Sequence, residues 1–270
     1  MPSVAPALTA ELMTPMFQVR TLDVASRMAA VLGRADLAAD LADRAAAVRA
    51  AFAAEYVGPD GALPVDLQGP YVVALAFDLV APERRPLLLG HLERLIAARG
   101  GRLDTGFLSV PYLLDVLWDS GRADLARGLL WQDRAPSWLA EVDRGATTIW
   151  ESWDAVAADG APRTVSLNHY AFGCVDDVLY RRAAGIRATA PGYRSVEIAP
   201  DLAIGLDRVR GSIDTPYGIV AVAWELDGHV ARIDVDIPLG VAATLRTATG
   251  PIELAAGPTT MTLDQKADLR

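Results

Sequence analysis

The spacing of apolar residues changes once along the 270 residues, at Gly185, and that change limits what the chain can fold into. Upstream, Leu22, Ala25, Met28, Ala29 and Leu32 recur at steps of three and four, as do Leu37, Leu41, Ala45, Val48 and Phe52. Such steps place apolar side chains on one stripe of an α-helix. The same spacing predicts helices over Gln68–Leu79, Arg84–Ala98, Val110–Ser120, Arg122–Leu130 and Leu167–Arg182. Downstream, Val196, Ile198, Val209, Ile213, Ile219–Trp224, Val230, Ile233, Val235 and Ile237 are mostly β-branched and often alternate. Turn residues interrupt them at Pro191-Gly192, Thr215-Pro216-Tyr217-Gly218, Asp227-Gly228 and Pro238-Leu239-Gly240. Asp-Gly between two alternating runs marks a β-hairpin. The chain reads as mainly α with a β domain: helices over 1–184, then an antiparallel β-sandwich over 185–270.

An internal echo adds to the helical half. Gly33-Arg34-Ala35-Asp36-Leu37-Ala38 returns as Gly121-Arg122-Ala123-Asp124-Leu125-Ala126. Each copy follows an apolar helix and opens another, with glycine as the stop and an early aspartate at the positive end of the new helix dipole. Two such αα-hairpins suggest an array of hairpins; the abundance of Ala, Leu and Gly leaves chance as the alternative.

Charge and motif content remove several function classes. The 34 acidic and 25 basic residues give a formal net charge of −9, the wrong sign for a nucleic-acid partner. One cysteine, Cys174, permits no internal disulfide or cysteine-based zinc site. Three widely separated histidines, His91, His169 and His229, make a metal centre improbable. Neither Gly-rich phosphate loop nor Gly-x-Ser-x-Gly elbow is present, so no cofactor is expected. No stretch reaches the 18 apolar residues of a membrane helix, and the first residues lack a signal-peptide pattern, so the expected location is cytoplasmic.

Two clusters remain. In Gly145-Ala-Thr-Thr-Ile-Trp150-Glu151-Ser152-Trp153-Asp154 a carboxylate stands between two indoles, with a second carboxylate three residues on. Indole faces suit the C–H face of a pyranose, and carboxylates accept hydroxyl hydrogen bonds. The plainer alternative is that Trp150 and Trp153 are core or interface packing. In Ser166-Leu-Asn168-His169-Tyr170-Ala-Phe-Gly173 the polar trio is expected to open the helix over Leu167–Arg182, where free N–H groups favour a ligand. The alternative is a histidine that merely caps or packs.

Together, in this order and spacing, the two clusters resemble the bacterial α-L-rhamnosidase family of inverting glycoside hydrolases. Leu103-Asp-Thr-Gly-Phe107, Ala135-Pro-Ser-Trp138, Pro191-Gly-Tyr193 and Thr215-Pro-Tyr-Gly218 extend the likeness over nearly the whole chain. The resemblance implies a six-hairpin (α/α) barrel, here partial, followed by a C-terminal β-sandwich domain. It implies hydrolysis of terminal α-L-rhamnosyl groups from glycosides or polysaccharides. It assigns Glu151 as general base and has His169 contact the sugar; Trp150, Trp153, Asp154 and Asn168 complete the expected substrate-binding set, with no metal. The family's general acid belongs to an Asp/Glu/Arg/Trp-rich stretch upstream of these motifs, and residues 1–140 hold no such stretch. About seven or eight helices are legible where six hairpins need twelve. The expectation is therefore an incomplete catalytic chain whose partner is a missing N-terminal barrel half or a second copy. The alternatives are a non-catalytic carbohydrate-binding protein and an inverting α/α-barrel glycosidase for another sugar.

Overall fold

A computed structural model describes residues 6–157 and 159–264. The chain divides into two compact units, Met1–Gly173 and Cys174–Arg270.

The N-terminal unit is built from helix pairs. Helices α1 (Pro6–Val31) and α2 (Ala35–Tyr56), α3 (Gln68–Ala76) and α4 (Arg85–Ala98), and α5 (Val110–Asp119) and α6 (Ala123–Leu130) each pack as an αα-hairpin. The echoed glycines do the same job in two of them. Gly33 and Gly121 take φ of +71° and +74°, and the N–H groups of Arg34 and Arg122 return to Ala29 O and Leu117 O. This closes the last helical turn with a left-handed residue that only glycine adopts without strain.

Within the array, α1, α3 and α5 lie side by side. Phe17, Phe77 and Tyr112 tie them together edge to face, with ring centroids 5.2 and 4.9 Å apart. Tyr71 to Leu75 are buried without interruption, so α3 has no solvent face and is an inner helix. Its partner α4 is amphipathic: Leu88, Leu92 and Ile96 form a buried i, i+4, i+8 stripe. Each such side chain contributes about 2 kcal/mol of hydrophobic burial. On α2 only Ala45 and Phe52 are buried. An inner row of helices backed by an outer row is the arrangement of an (α/α) barrel wall. Among the described residues, the whole chain holds eight α-helices, and none is long and apolar enough to cross a membrane.

The C-terminal unit begins with a short helix α8 (Val175–Val178) and a π-helical turn over Leu179–Ala184. Two four-stranded sheets follow. One has the order β1 (Ile186–Ala188), β2 (Ser195–Ile198), β6 (Ala242–Thr247), β7 (Gly250–Leu254); the other has β3 (Arg208–Thr215), β4 (Gly218–Asp227), β5 (Val230–Ile237), β8 (Gly257–Asp264). Alternation on β4 and β5 buries Val220, Val222, Trp224, Ala231, Ile233, Val235 and Ile237, and the first sheet buries Val196, Ile198, Ala243 and Leu245. All pairs are antiparallel except β2 with β6. The expected hairpin forms with Asp227 opposite Val230 and Gly228 at φ +62° in the two-residue loop.

The packing division at 173/174 precedes the change of periodicity at Gly185 for a physical reason. The last helical residues pack on the sheet that follows them: Trp224 Nε1 donates to Ala183 O at 2.7 Å. A Cβ on Gly211 would stand 2.7 Å from Ala184 Cβ, so β3 needs a glycine there.

The helix expected over Leu167–Arg182 is shortened. Asn168, His169 and Tyr170 lie outside any helix, which begins only at Val175. Residues 166–169 instead run as the arm of a hairpin with residues 149–151, as described next.

Candidate active site

Three local devices converge on the Trp150–Asp154 segment. Buried Gln68, at the start of α3, donates to Arg102 O and accepts from Asp104 N–H, both at 3.0 Å. This clamp holds the loop carrying Thr105, whose carbonyl accepts the Trp153 indole N–H at 2.8 Å. Helix α7 (Trp138–Asp143) is started by Ser137, whose hydroxyl accepts from Ala140 N–H at 3.1 Å as an N-cap. It delivers Trp138 edge-on to Trp153, with centroids 5.3 Å apart. Trp153 in turn stacks flat on Phe172 at 3.7 Å, and Phe172 O accepts the Trp138 N–H at 2.9 Å.

The two expected clusters meet as the arms of one irregular hairpin. Its turn end is closed by bonds from Ala157 N–H to Ala161 O and from Arg163 N–H to Ala155 O. At its open end Glu151 N–H donates to Ser166 O at 3.0 Å and His169 N–H to Ile149 O at 2.8 Å. Thr148 Oγ1 adds a bond to Leu167 O at 2.6 Å. Glu151, exposed, keeps one carboxylate oxygen on the Ser166 N–H at 2.7 Å. This charge-assisted bond, on the same residue that holds its backbone, fixes where the carboxylate points.

His169 sits on the opposite arm. Its Nδ1 accepts from Ala171 N–H at 3.0 Å, so the neutral ring carries its proton on Nε2 and can donate there. The ring stacks on Tyr170, which is largely exposed. Asn168 is exposed, with its backbone held by Ser166 Oγ. Asp154 is half-buried; the Ser152 hydroxyl at 2.6 Å and then the nearby Arg163 guanidinium at 3.3 Å hold its carboxyl below the usual range.

Trp150 and Trp153 occupy a different position from the sugar-lining one expected of them. They are only 3% and 4% exposed, and Trp153 spends its ring faces and N–H on Phe172, Trp138 and Thr105. Both are internal supports of the hairpin, because burying an indole is worth more than leaving it as a surface platform.

Sequence reasoning passed over Glu141. This carboxylate on α7 is 3% exposed, and its Oε1 has no partner. Burial pushes it up to about 7, against smaller opposing effects of the Trp150 N–H and Arg144. Its position three residues after Trp138, on the same helical face, was the available signal. Among the described residues no group of His, Cys, Asp and Glu is arranged to hold a metal ion. A cavity of about 700 Å³ belongs to the C-terminal unit, lined by Arg208, Arg210, Glu225 and Arg232 among others, and contains none of the motif residues.

The wall of αα-hairpins thus carries Glu151 and His169 on one irregular hairpin. Residues 6–183 match the bacterial alpha-L-rhamnosidase 6 hairpin glycosidase domain, and residues 185–261 the bacterial alpha-L-rhamnosidase C-terminal domain. The chain belongs to the bacterial α-L-rhamnosidase family. An α-L-rhamnosidase of Streptomyces avermitilis is 39% identical over 206 residues, covering 75% of this chain and 20% of its own. One from Formosa agariphila is 36% identical over 185 residues, covering 67% and 20%. The crystal structure of the S. avermitilis α-L-rhamnosidase complexed with L-rhamnose superposes with a TM-score of 0.88 at 32% identity, over 94% of this chain and 27% of that one. The chain thus spans about a fifth of the length of the curated relatives it matches.

Proposed function

We propose that the chain carries the general-base side of an inverting α-L-rhamnosidase site, with the barrel portion over 1–184 and the sandwich domain over 185–270. The observation that carries this reading is the Glu151 carboxylate, anchored through one oxygen by Ser166 N–H on the arm that also bears Asn168 and His169. Inversion needs a carboxylate to take a proton from water as it attacks the anomeric carbon, and a separate acid to protonate the leaving oxygen. The two carboxyls stand roughly 6.5–9.5 Å apart to admit that water. Glu151 is the base in this scheme, its second oxygen being the proton acceptor. His169 Nε2–H, Asn168 and Asp154 supply donors and acceptors to the rhamnosyl hydroxyls. Trp150 and Trp153 act from behind, by holding the hairpin. The acid falls within the relatives' additional length. The rhamnose held by the S. avermitilis relative supports a rhamnose-containing glycoside as the ligand.

Two measurements test this. An aryl α-L-rhamnoside is expected to turn over negligibly with this chain alone; robust turnover abolished by Glu151→Gln would place the acid within these residues. Calorimetry with L-rhamnose is expected to show binding in the millimolar range, about 4 kcal/mol, weakened by His169→Ala. Absence of heat at high sugar concentration refutes the ligand assignment.

A further inference from the structure

The rhamnosyl site leaves the cavity of about 700 Å³ on the C-terminal unit without a role. It lies over strands β3, β4 and β5, and cavities of about 310 and 240 Å³ share lining residues with it. Arg210 lines all three. The largest falls within the roughly 300–1,000 Å³ typical of small-molecule sites.

Strand register explains why a trough forms here. Val220, Val222 and Trp224 of β4 are buried, so Ala221, Ala223 and Glu225 take its outer face. Ala223 stands between Arg210 of β3 and Asp234 of β5, and Glu225 between Arg208 and Arg232. An alanine floor between longer side chains leaves a hollow along the middle strand. The 310 Å³ cavity on the β3 side is lined by Tyr180 and Leu206, and Tyr180 is partly exposed.

The charges in the trough are unevenly paired. Asp234 accepts from the Thr260 hydroxyl at 2.5 Å and from Arg232 Nη2 at 3.2 Å, and these contacts hold its carboxyl below the usual range. Arg208 and Arg210 have no hydrogen-bond or ion-pair partner among the described residues. Both are exposed on the same side of β3. Residues two apart on a strand start about 7 Å from each other, so both guanidiniums can reach one anion. The chain carries a net charge of −9, yet no acidic side chain closes on this pair. A guanidinium fork matches the planar carboxylate with two parallel hydrogen bonds. A docked protein domain fits less well, because interface cores are poor in charge and this hollow has charged walls.

We propose that the trough is a carbohydrate site of the C-terminal unit, which binds an acidic glycan by holding a uronate carboxylate between Arg208 and Arg210 and a neighbouring sugar ring on Tyr180. Glu225 then accepts hydrogen bonds from sugar hydroxyls. This site stands whether or not Glu151 is the base.

The test is calorimetry on the full chain with tetragalacturonate, neutral maltotetraose and inorganic sulfate. Salt is held at about 0.15 M, which screens exposed charges beyond about 8 Å. Tetragalacturonate is expected to bind with a Kd of about 1 mM or tighter, and the other two at least about tenfold more weakly. Arg210→Lys keeps the charge and loses the fork, and is expected to weaken tetragalacturonate about tenfold, as is Arg208→Gln. Tyr180→Ala, with folding checked by a melt followed through Trp224, is expected to weaken it about threefold or more. Arg44→Gln, an exposed change on α2, leaves binding at the parental value. Absence of heat at about 10 mM tetragalacturonate overturns the proposal. So does sulfate binding as tightly as the uronate, which would mark an anion site without sugar recognition. Parental affinity in Arg210→Lys also overturns it, since charge attraction alone would then suffice.

Discussion

Glu141 makes the stability of the N-terminal unit depend on pH in a direction opposite to that of an ordinary carboxylate. In the unfolded chain the group has its usual value of 4.5, and in the folded unit burial raises it to about 7. Below pH 4.5 both states hold the proton and the group adds no pH dependence. Between 4.5 and about 7 the unfolded chain releases its proton while the folded one keeps it, so stability falls as pH rises. Above about 7 both are ionised and the fall ends. The full span of about 2.5 pH units, at about 1.4 kcal/mol each, amounts to about 3.5 kcal/mol. Most of it, about 2–3 kcal/mol, falls between pH 5 and pH 8. Glu141→Gln removes this contribution while leaving all other titrating groups in place, so those cancel between parent and variant. Urea unfolding at pH 5, 6, 7 and 8 measures the difference. Tryptophan fluorescence reports the right unit, because five of the six tryptophans, Trp118, Trp131, Trp138, Trp150 and Trp153, lie within it. With a urea slope of about 2 kcal/mol per molar, the variant's midpoint should rise relative to the parent by about 1 M from pH 5 to pH 8. Any constant offset from the buried amide drops out of that comparison. A midpoint difference that stays flat over this range refutes the argument, since the carboxyl would then titrate as it does in water.

Other consequences follow from the same packing. Trp153→Ala removes a stacked buried indole and leaves Thr105 O unpaired, and should destabilise the N-terminal unit by about 3–5 kcal/mol in urea melts. Trp153→Phe keeps the stack and loses only the N–H bond, so about 1–3 kcal/mol is expected; equal costs for the two changes would show that the hydrogen bond carries the effect. Gly185→Ala must move the chain, because its Cβ would stand 2.2 Å from Pro200 N at φ +79°, and should lower the melting of the C-terminal unit, followed through Trp224, by several degrees. Gly33→Ala meets nothing within 4 Å and bears only the left-handed penalty of about 1–2 kcal/mol, so a cost at Gly33 as large as that at Gly185 would contradict the steric account.

The hairpins and strands were legible because their rules are local. The Gly33 and Gly121 stops are set by one residue's φ, and the sandwich strands by side chains alternating along their own chain. Leu167–Arg182 shows the limit of such rules. Its apolar residues keep helical spacing, yet Ser166 N–H and O and His169 N–H are bonded to Glu151 and Ile149, on a segment more than a dozen residues earlier. Pairing of a segment with a distant stretch of backbone leaves no mark in the local pattern. The same blindness applied to the indoles. Their density singles out residues 150–154, but whether a ring offers its face to a sugar or to Phe172 depends on what lies opposite, and that is decided by tertiary packing. Glu141 was hidden for the complementary reason: a charged residue on a short helix reads as solvent-facing, and only the burial of Trp138 on the same face tells against it. Glu151 stands out through its motif, whereas Glu141 has none. A buried carboxyl on a short helix is set by what packs around it, where packing alone would favour an apolar side chain, and such surroundings leave no mark in the local pattern.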